Sequence, residues 1–275
     1  MRSPPGRPRD MITPSLWAVG SAVFLFIYLP LLVVVLYAFH DSNIIAWPLK
    51  LGTFHWFADL FHDRGMMDAA VASLKLALLT VIISVGIGVP GAFVLDRLDF
   101  PGKEAFRRLV LLPLILPGII TGVALLTYFS FLHVSLSSGY PAIPGWPVVL
   151  GHSAALTSIV VTQVFARLQR LERSQEEASQ DLYANEWKTF WYVILPNIRT
   201  AVLGAALLVF TLSLDEIAVT FFLIGRQNTL PLQIWGLLRR GITPEVNAIS
   251  TIIFALSVVV IVMWARLMRE EVATR

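Results

Sequence analysis

The chain contains no cysteine, which excludes a disulfide framework and a thiolate metal centre and leaves the redox compartment unmarked. Charge is also scarce: only 14% of its 275 residues are Asp, Glu, Lys or Arg. With 56% hydrophobic residues and a mean hydropathy of +0.73, the composition lies outside that of soluble globular domains, and the bilayer is the expected solvent. There is no G-x-x-x-x-G-K-[ST] phosphate loop, so any ATP hydrolysis must come from another chain. The five histidines, His40, His55, His62, His133 and His152, have no metal-ligand spacing, and four of them sit in loops or at span ends, where surface residues are the default. No H-E-x-x-H, no nucleophile-and-base spacing and no sign of nucleic-acid binding is present.

What the chain has in quantity is long apolar runs. A hydrocarbon core of about 30 Å takes roughly 20 apolar residues per helix, and six stretches qualify: 15–39, 69–95, 109–133, 147–166, 198–222 and 246–265. The first follows the basic start MRSPPGRPRD, but its apolar run is far longer than a signal-peptide core and no A-x-A site follows, so it reads as a retained anchor. With the N-terminus inside the cell, the inner segments 2–9, 97–108, 167–199 and 266–275 carry most of the Lys and Arg. Outside remain Lys50, Arg64, Arg226, Arg239 and Arg240, a bias that puts both termini in the cytoplasm. The expected organisation is a cytoplasmic tail (1–14), a six-helix transmembrane domain (15–265) with an inner loop at 167–197, and a second cytoplasmic tail (266–275).

The outer segments carry interfacial aromatics, among them Trp47, Trp56, Tyr140 and Trp146. FHWFADLF (54–61) reads either as a short helix on the outer surface or as a plain loop. GIGVPG (86–91) allows close helix approach, and Pro113 and Pro117 should kink the third span, although ordinary packing also accounts for them.

One polar insert interrupts this pattern: RLQRLERSQEEASQDLYANEWKTFWYVILPNIRTA at 167–201. Leu168, Leu171, Ala178 and Leu182 recur near helical spacing, and Ser174 with Glu177 forms a capping-box pattern that starts a helix at Ser174. Asn185 is a second N-cap, with Glu186 in the first turn and Trp187, Phe190 and Trp191 as an apolar face. Pro196 is expected to break the pattern ahead of the fifth span. A helix, a tight turn near 183–185 and another helix result, serving either as a docking surface for a soluble partner or as a solvated loop.

Asp215 and Glu216 stand inside the fifth apolar run. An ionised acid at a helix centre costs roughly 2.5 to 3.5 kcal/mol to insert, so both should face protein or water. Either they line a path that attracts a cation, or they pair with Lys75, with a basic residue of the 223–245 loop or with a partner subunit. Neighbours on a helix diverge by about 100°, so one site cannot use both unless the helix is distorted there.

The insert resembles the cytoplasmic signature of bacterial ABC importer permeases, E-A-A, three residues, G, nine residues, I-x-L-P. Glu177, Ala178 and Ser179 take the first three places, Tyr183 the glycine place, Val193 the isoleucine place, and Leu195 and Pro196 close it. YLPLLVVVLYAFHDS (28–42), SLDEIAVTFFL (213–223) and TLPLQIWGLLRRGITPEVNAIST (229–251) further resemble the C-type subunits of spermidine/putrescine permeases. The resemblance implies an all-α integral membrane protein of the inner membrane, with six transmembrane helices in the type I, MetI-like permease fold. It implies a cytoplasmic coupling helix, with Glu176, Glu177, Ala178, Ser179, Asp181, Leu182, Tyr183, Ala184, Leu195 and Pro196 docking an ATPase. Implied partners are a second homologous permease, two ATPase subunits that bind the ATP, an extracytoplasmic solute-binding protein and the lipid bilayer. No cofactor or catalytic role is expected of this chain. The implied cargo is a polyamine; alternatives are ferric ion, an aminophosphonate or another small organic solute in the same machine, or an ion-driven secondary transporter using the acids. Tyr183 departs from the family glycine. If the turn is left-handed there, the side chain costs on the order of 1 kcal/mol, unless the turn is reshaped or ring contacts offset it.

Overall fold

The computed structural model describes residues 12–42, 49–137, 140, 144–239, 241 and 244–273. Arg2, Arg7, Arg9, Trp47, Arg240 and Arg275 lie outside the described residues. The described chain is helical: α1 Ile12–Tyr37, α2 His55–His62, α3 Arg64–Arg97, α4 Lys103–Ile115, α5 Gly118–Phe131, α6 Trp146–Leu168, α7 Ser174–Asp181, α8 Glu186–Thr189, α9 Leu195–Asp215, α10 Ala218–Leu223, α11 Leu230–Leu238 and α12 Pro244–Ala273. A π-helical turn, Phe190–Ile194, joins α8 to α9. The residues fall into two units, one of 64–236 and one of 1–63 with 237–275.

Among the described residues, four helical stretches are long and apolar enough to cross a membrane: Leu16–Tyr37, Arg64–Arg97, Trp146–Leu168 and Glu186–Asp215. A fifth is present if α4 and α5 count as one bent span. The apolar part of α12, Pro244–Val259, is shorter. The run 109–133 is therefore not one straight helix, since α4 and α5 meet at 106°. Pro113 stays inside α4, and the bend falls at Leu116 and Pro117. A proline pushes the residue before it out of the α region, and Leu116 is extended, with φ −74° and ψ 131°.

In the unit of 64–236, α3, α6 and α9 enclose a core of Val89, Leu95, Val160, Val164, Leu168, Ile198 and Val209. GIGVPG works here as its composition suggests: a Cβ on Gly88 would lie 2.6 Å from the Cβ of Val160, so only glycine lets α3 and α6 approach this closely. A second core joins Leu76, Phe129, Val148, Val149, Val219 and Leu223 from α3, α5, α6 and α10.

Pro196 does not break the chain as expected. Proline lacks the N–H for an i→i−4 bond and crowds the carbonyl four residues back. The turn ahead of it is widened to π register, with the Leu195 N–H bonding the Phe190 carbonyl. The Asn197 side-chain amide donates to the Val193 carbonyl at 2.8 Å, so the helix runs on through Pro196.

In the other unit, FHWFADLF forms a helix rather than a plain loop: α2 buries Trp56 and Leu60, and α12 packs against α1 and α2. The Trp56 indole donates to the His40 carbonyl at 2.8 Å. Nδ1 of His40 accepts from the Lys50 N–H at 3.0 Å. His40 is thus buried rather than a surface residue.

Candidate functional site

Two places in the unit of 64–236 carry the residues that the sequence singles out. The first is the polar insert. Helix α7 begins at Ser174, yet the capping box does not form: Arg173 is already in the αR region, no side chain caps the helix, and the Ser174 hydroxyl faces Glu172 at 3.5 Å. Asn185 does cap, its side-chain oxygen accepting from the Lys188 N–H at 2.9 Å.

Between these helices Tyr183 adopts φ +61°, the left-handed conformation. The Ala184 N–H bonds the Ser179 carbonyl at 3.1 Å and the Tyr183 N–H bonds the Gln180 carbonyl at 2.8 Å. That pair of bonds is a Schellman closure, which favours glycine at the left-handed place. The turn is therefore not reshaped. Nor do ring contacts offset the strain within the chain, because Tyr183 is 97% exposed.

The insert is held by polar ties. The Ser179 hydroxyl donates to the Glu176 carbonyl at 2.7 Å and meets the Thr189 hydroxyl at 2.8 Å, linking α7 to α8. Arg97, the last residue of α3, forms an ion pair with Glu176. Arg167 Nε donates to the Asn197 carbonyl at 3.0 Å, tying α6 to α9. Phe93 of α3 stacks edge-on against Phe190. Asp99, just beyond α3, is held below the usual carboxylate pKa by a hydrogen bond from Lys103 and its charge.

The expected docking residues thus divide. Glu176 and Ser179 are turned into the fold, Ala184 is half-buried, and Leu195 packs on the core. Glu177, Ala178, Asp181, Leu182, Tyr183 and Pro196 are exposed. Trp187, Trp191 and Tyr192 extend that exposed surface with large apolar area, an outward patch of the kind that marks an interaction site.

The second place is the end of α9. The run 198–222 is not one helix: α9 stops at Asp215, Glu216 is extended with ψ 116°, and α10 starts at Ala218. The acids sit at a break, not in a helix interior. Glu216 Oε1 accepts from the Val219 N–H at 2.8 Å, so this carboxylate caps α10. Asp215 is exposed and has no side-chain partner among the described residues; neither acid pairs there with Lys75. A Cβ on Gly118, the first residue of α5, would lie 3.5 Å from Glu216 Oε1, so the break of α9–α10 abuts that of α4–α5.

His152 of α6, which spacing did not single out, is 1% exposed beside this break. Its Nδ1 is 2.9 Å from Ser213 Oγ and its Nε2 is 2.8 Å from Thr220 Oγ1. The signal available in the sequence was a histidine alone in an apolar span, which must find polar partners.

The family model described as "Binding-protein-dependent transport system inner membrane component" matches residues 85–270. The chain is 35% identical over 252 residues to the putrescine transport system permease protein PotI of Escherichia coli K12, covering 90% of this chain and 89% of that protein. It is 31% identical to the spermidine/putrescine transport system permease protein PotC of Haemophilus influenzae, covering 90% and 94%. Among solved structures, a bacterial ABC transporter involved in import of the acidic polysaccharide alginate matches with TM-score 0.68 at 16% identity, over 97% of this chain and 99% of that one. The MetNI methionine ABC transporter in inward-facing form matches with TM-score 0.59 at 16% identity, over 79% and 98%. At these identities the two structures speak for the fold alone.

Proposed function

Since the chain belongs to the binding-protein-dependent transport system inner membrane component family, we propose that it is one permease half of an ABC importer that carries putrescine and spermidine inward. It is a transport subunit, and ATP hydrolysis belongs to a separate ATPase subunit. The proposed assembly is this chain, a second homologous permease, two ATPase subunits and an extracytoplasmic solute-binding protein. Six spans, both termini in the cytoplasm, tails at 1–14 and 266–275 and a coupling loop at 167–197 complete the arrangement.

The observation that carries the coupling role is the insert itself. Its outward surface sets the large exposed side chains of Leu182, Tyr183, Trp187 and Tyr192 beside the exposed acids Glu177 and Asp181, a mixed surface that suits seating in a cleft. Its inner side is fixed twice, by the Arg97–Glu176 ion pair to α3 and by continuous helical backbone into α9. A push on α7 by a closing ATPase would therefore move two spans together instead of being absorbed by a slack loop.

The polyamine reading rests on the relatives named above and gains from Asp215, an exposed acid without a partner among the described residues at an interrupted helix. A di- or tricationic solute is attracted by a fixed carboxylate at close range. Discontinuous helices near the midplane are where transporters place such groups. Glu216 is engaged as a cap, so Asp215 is the residue assigned to the path.

The test is uptake of labelled putrescine and spermidine by import-deficient cells expressing the complete transporter, with Asp215→Asn beside the parent. ATP-dependent uptake that drops about tenfold in the variant, equivalent to about 1.4 kcal/mol, with assembly intact, is the expected result. Uptake unchanged by Asp215→Asn would remove the acidic path. An assembled complex that moves neither amine would remove the polyamine cargo.

A further inference from the structure

The interruption between α9 and α10 needs something to hold it, because a chain that leaves helical geometry inside a bilayer must satisfy its freed backbone groups locally. Part of the answer is internal. Thr220 Oγ1 donates to the Glu216 carbonyl at 2.7 Å and Glu216 Oε1 accepts from the Val219 N–H at 2.8 Å. Those bonds shape the start of α10 but do not fix it to the end of α9.

Among the described residues, the one side chain that meets polar groups on both sides of the break is His152, on a different helix. Ser213 lies in the last turn of α9 and Thr220 in α10, and the two ring nitrogens of His152 meet one hydroxyl each. All three side chains are buried. Ser213 Oγ also faces Thr80 Oγ1 of α3 at 3.4 Å, so α3, α6, α9 and α10 share the network.

The hydrogen-bond directions are constrained. A hydroxyl has one proton, and that of Thr220 is committed to the Glu216 carbonyl. Towards the ring Thr220 can only accept, so Nε2 carries the hydrogen and donates. In the neutral ring Nδ1 then accepts from Ser213, whose one proton serves the ring at 2.9 Å rather than the more distant Thr80 Oγ1 at 3.4 Å. Both ring nitrogens of the imidazole are thereby used.

From this geometry we infer that His152 is a positioning residue that clamps the two ends of the α9–α10 break and thereby fixes where Asp215 stands. Asp215 is the last residue of α9, two positions beyond Ser213. Loosening the clamp frees the segment 214–217 to re-form helix or to swing, and the carboxylate moves with it. The bearing of this clamp on polyamine transport rests on the reading above; the clamp itself does not.

The absence of cysteine makes the test direct. Asp215→Cys gives this chain a single thiol, whose reaction rate with a small polar maleimide is followed on this subunit, in membranes holding the complete transporter. His152→Gln and His152→Asn are then compared with the parent ring and with His152→Leu. A glutamine amide reaches the Nε2 place and keeps the bond to Thr220, whereas an asparagine reaches only the Nδ1 place and keeps Ser213.

With leucine, asparagine or glutamine the rate is expected to change about tenfold, the equivalent of about 1.4 kcal/mol and of one buried hydrogen bond lost. Glutamine and asparagine each hold one side of the break only, so both should depart from the parent in the same direction as leucine. Equal rates in the leucine variant and the parent overturn the proposal. If the leucine variant does not accumulate, glutamine and asparagine rates both within about twofold of the parent overturn it, because a site that is merely filled would leave the thiol where it stands. The reaction needs no transported solute: the expected labelling pattern, with no amine uptake by the assembled transporter that retains Asp215, would retain the clamp and remove the cargo reading.

Discussion

At the scale of a single residue, Tyr183 bears a cost that its own chain does not recover. A non-glycine side chain in the left-handed region costs on the order of 1 kcal/mol, and a ring 97% exposed has no neighbours in the subunit to offset it. On the proposed docking role the return comes from outside the chain, since the ring lies on the surface proposed to meet the ATPase. Tyr183→Gly and Tyr183→Ala separate backbone from ring. In melting curves of the purified subunit, glycine should be no less stable than the parent, and alanine, which keeps the strain, should fall below glycine by about 1 kcal/mol. ATP-driven uptake should fall in both, because both lack the ring; uptake that survives in either variant would mean that the ring has no docking role. The position of this turn was legible because Asn185 caps a helix wherever it has extended backbone, and it has φ −79° and ψ 168° here. Ser174 carried an equally good pattern and failed. A cap residue must be non-helical, whereas Arg173 ahead of it is already αR.

At the scale of elements, the spans were legible as composition and their interruptions were not. A hydropathy window averages some 19 residues and returns the same value for a straight helix and for one that stops, turns and restarts. Pro117 gave warning of the α4–α5 bend, since it forces Leu116 extended. No proline or glycine marks the α9–α10 break; the mark there was two adjacent acids, which hydropathy registers only as lower apolarity. Their adjacency makes sense once the helix ends between them: one carboxylate replaces missing backbone partners and the other has no partner among the described residues. This division of labour predicts different outcomes for two substitutions at Glu216. Glutamine keeps an oxygen to accept from Val219 N–H, so Glu216→Gln should retain uptake and stability. Alanine removes the cap, and Glu216→Ala should cost about 1 kcal/mol, read as a lowered melting temperature. Uptake lost equally in both would instead make the charge of Glu216 part of the path.

At the scale of the whole molecule, the proposed orientation rests on where the basic residues fall, and α6 supplies the ruler that tests it. Helix α6 has 23 residues, which at 1.5 Å each is about 34 Å, enough to cross a hydrocarbon core of about 30 Å. Val134 lies in the segment leading into the start of α6, and Leu182 lies in the loop that follows its end. If α6 crosses the membrane, the two positions belong to opposite faces. Both are exposed, at 41% and 82%, and the cysteine-free chain offers no competing thiol of its own. With Val134→Cys and Leu182→Cys made singly, a membrane-impermeant maleimide added to cells with a permeabilised outer barrier should label position 134 and spare 182. Inverted inner-membrane vesicles should reverse the pattern. The reverse result in both preparations would overturn the positive-inside assignment and with it the placement of the docking surface on the ATPase side. Co-expression with the ATPase should then protect position 182 in inverted vesicles and leave 134 unchanged, because the same exposed surface that admits the reagent is the one the ATPase is proposed to cover.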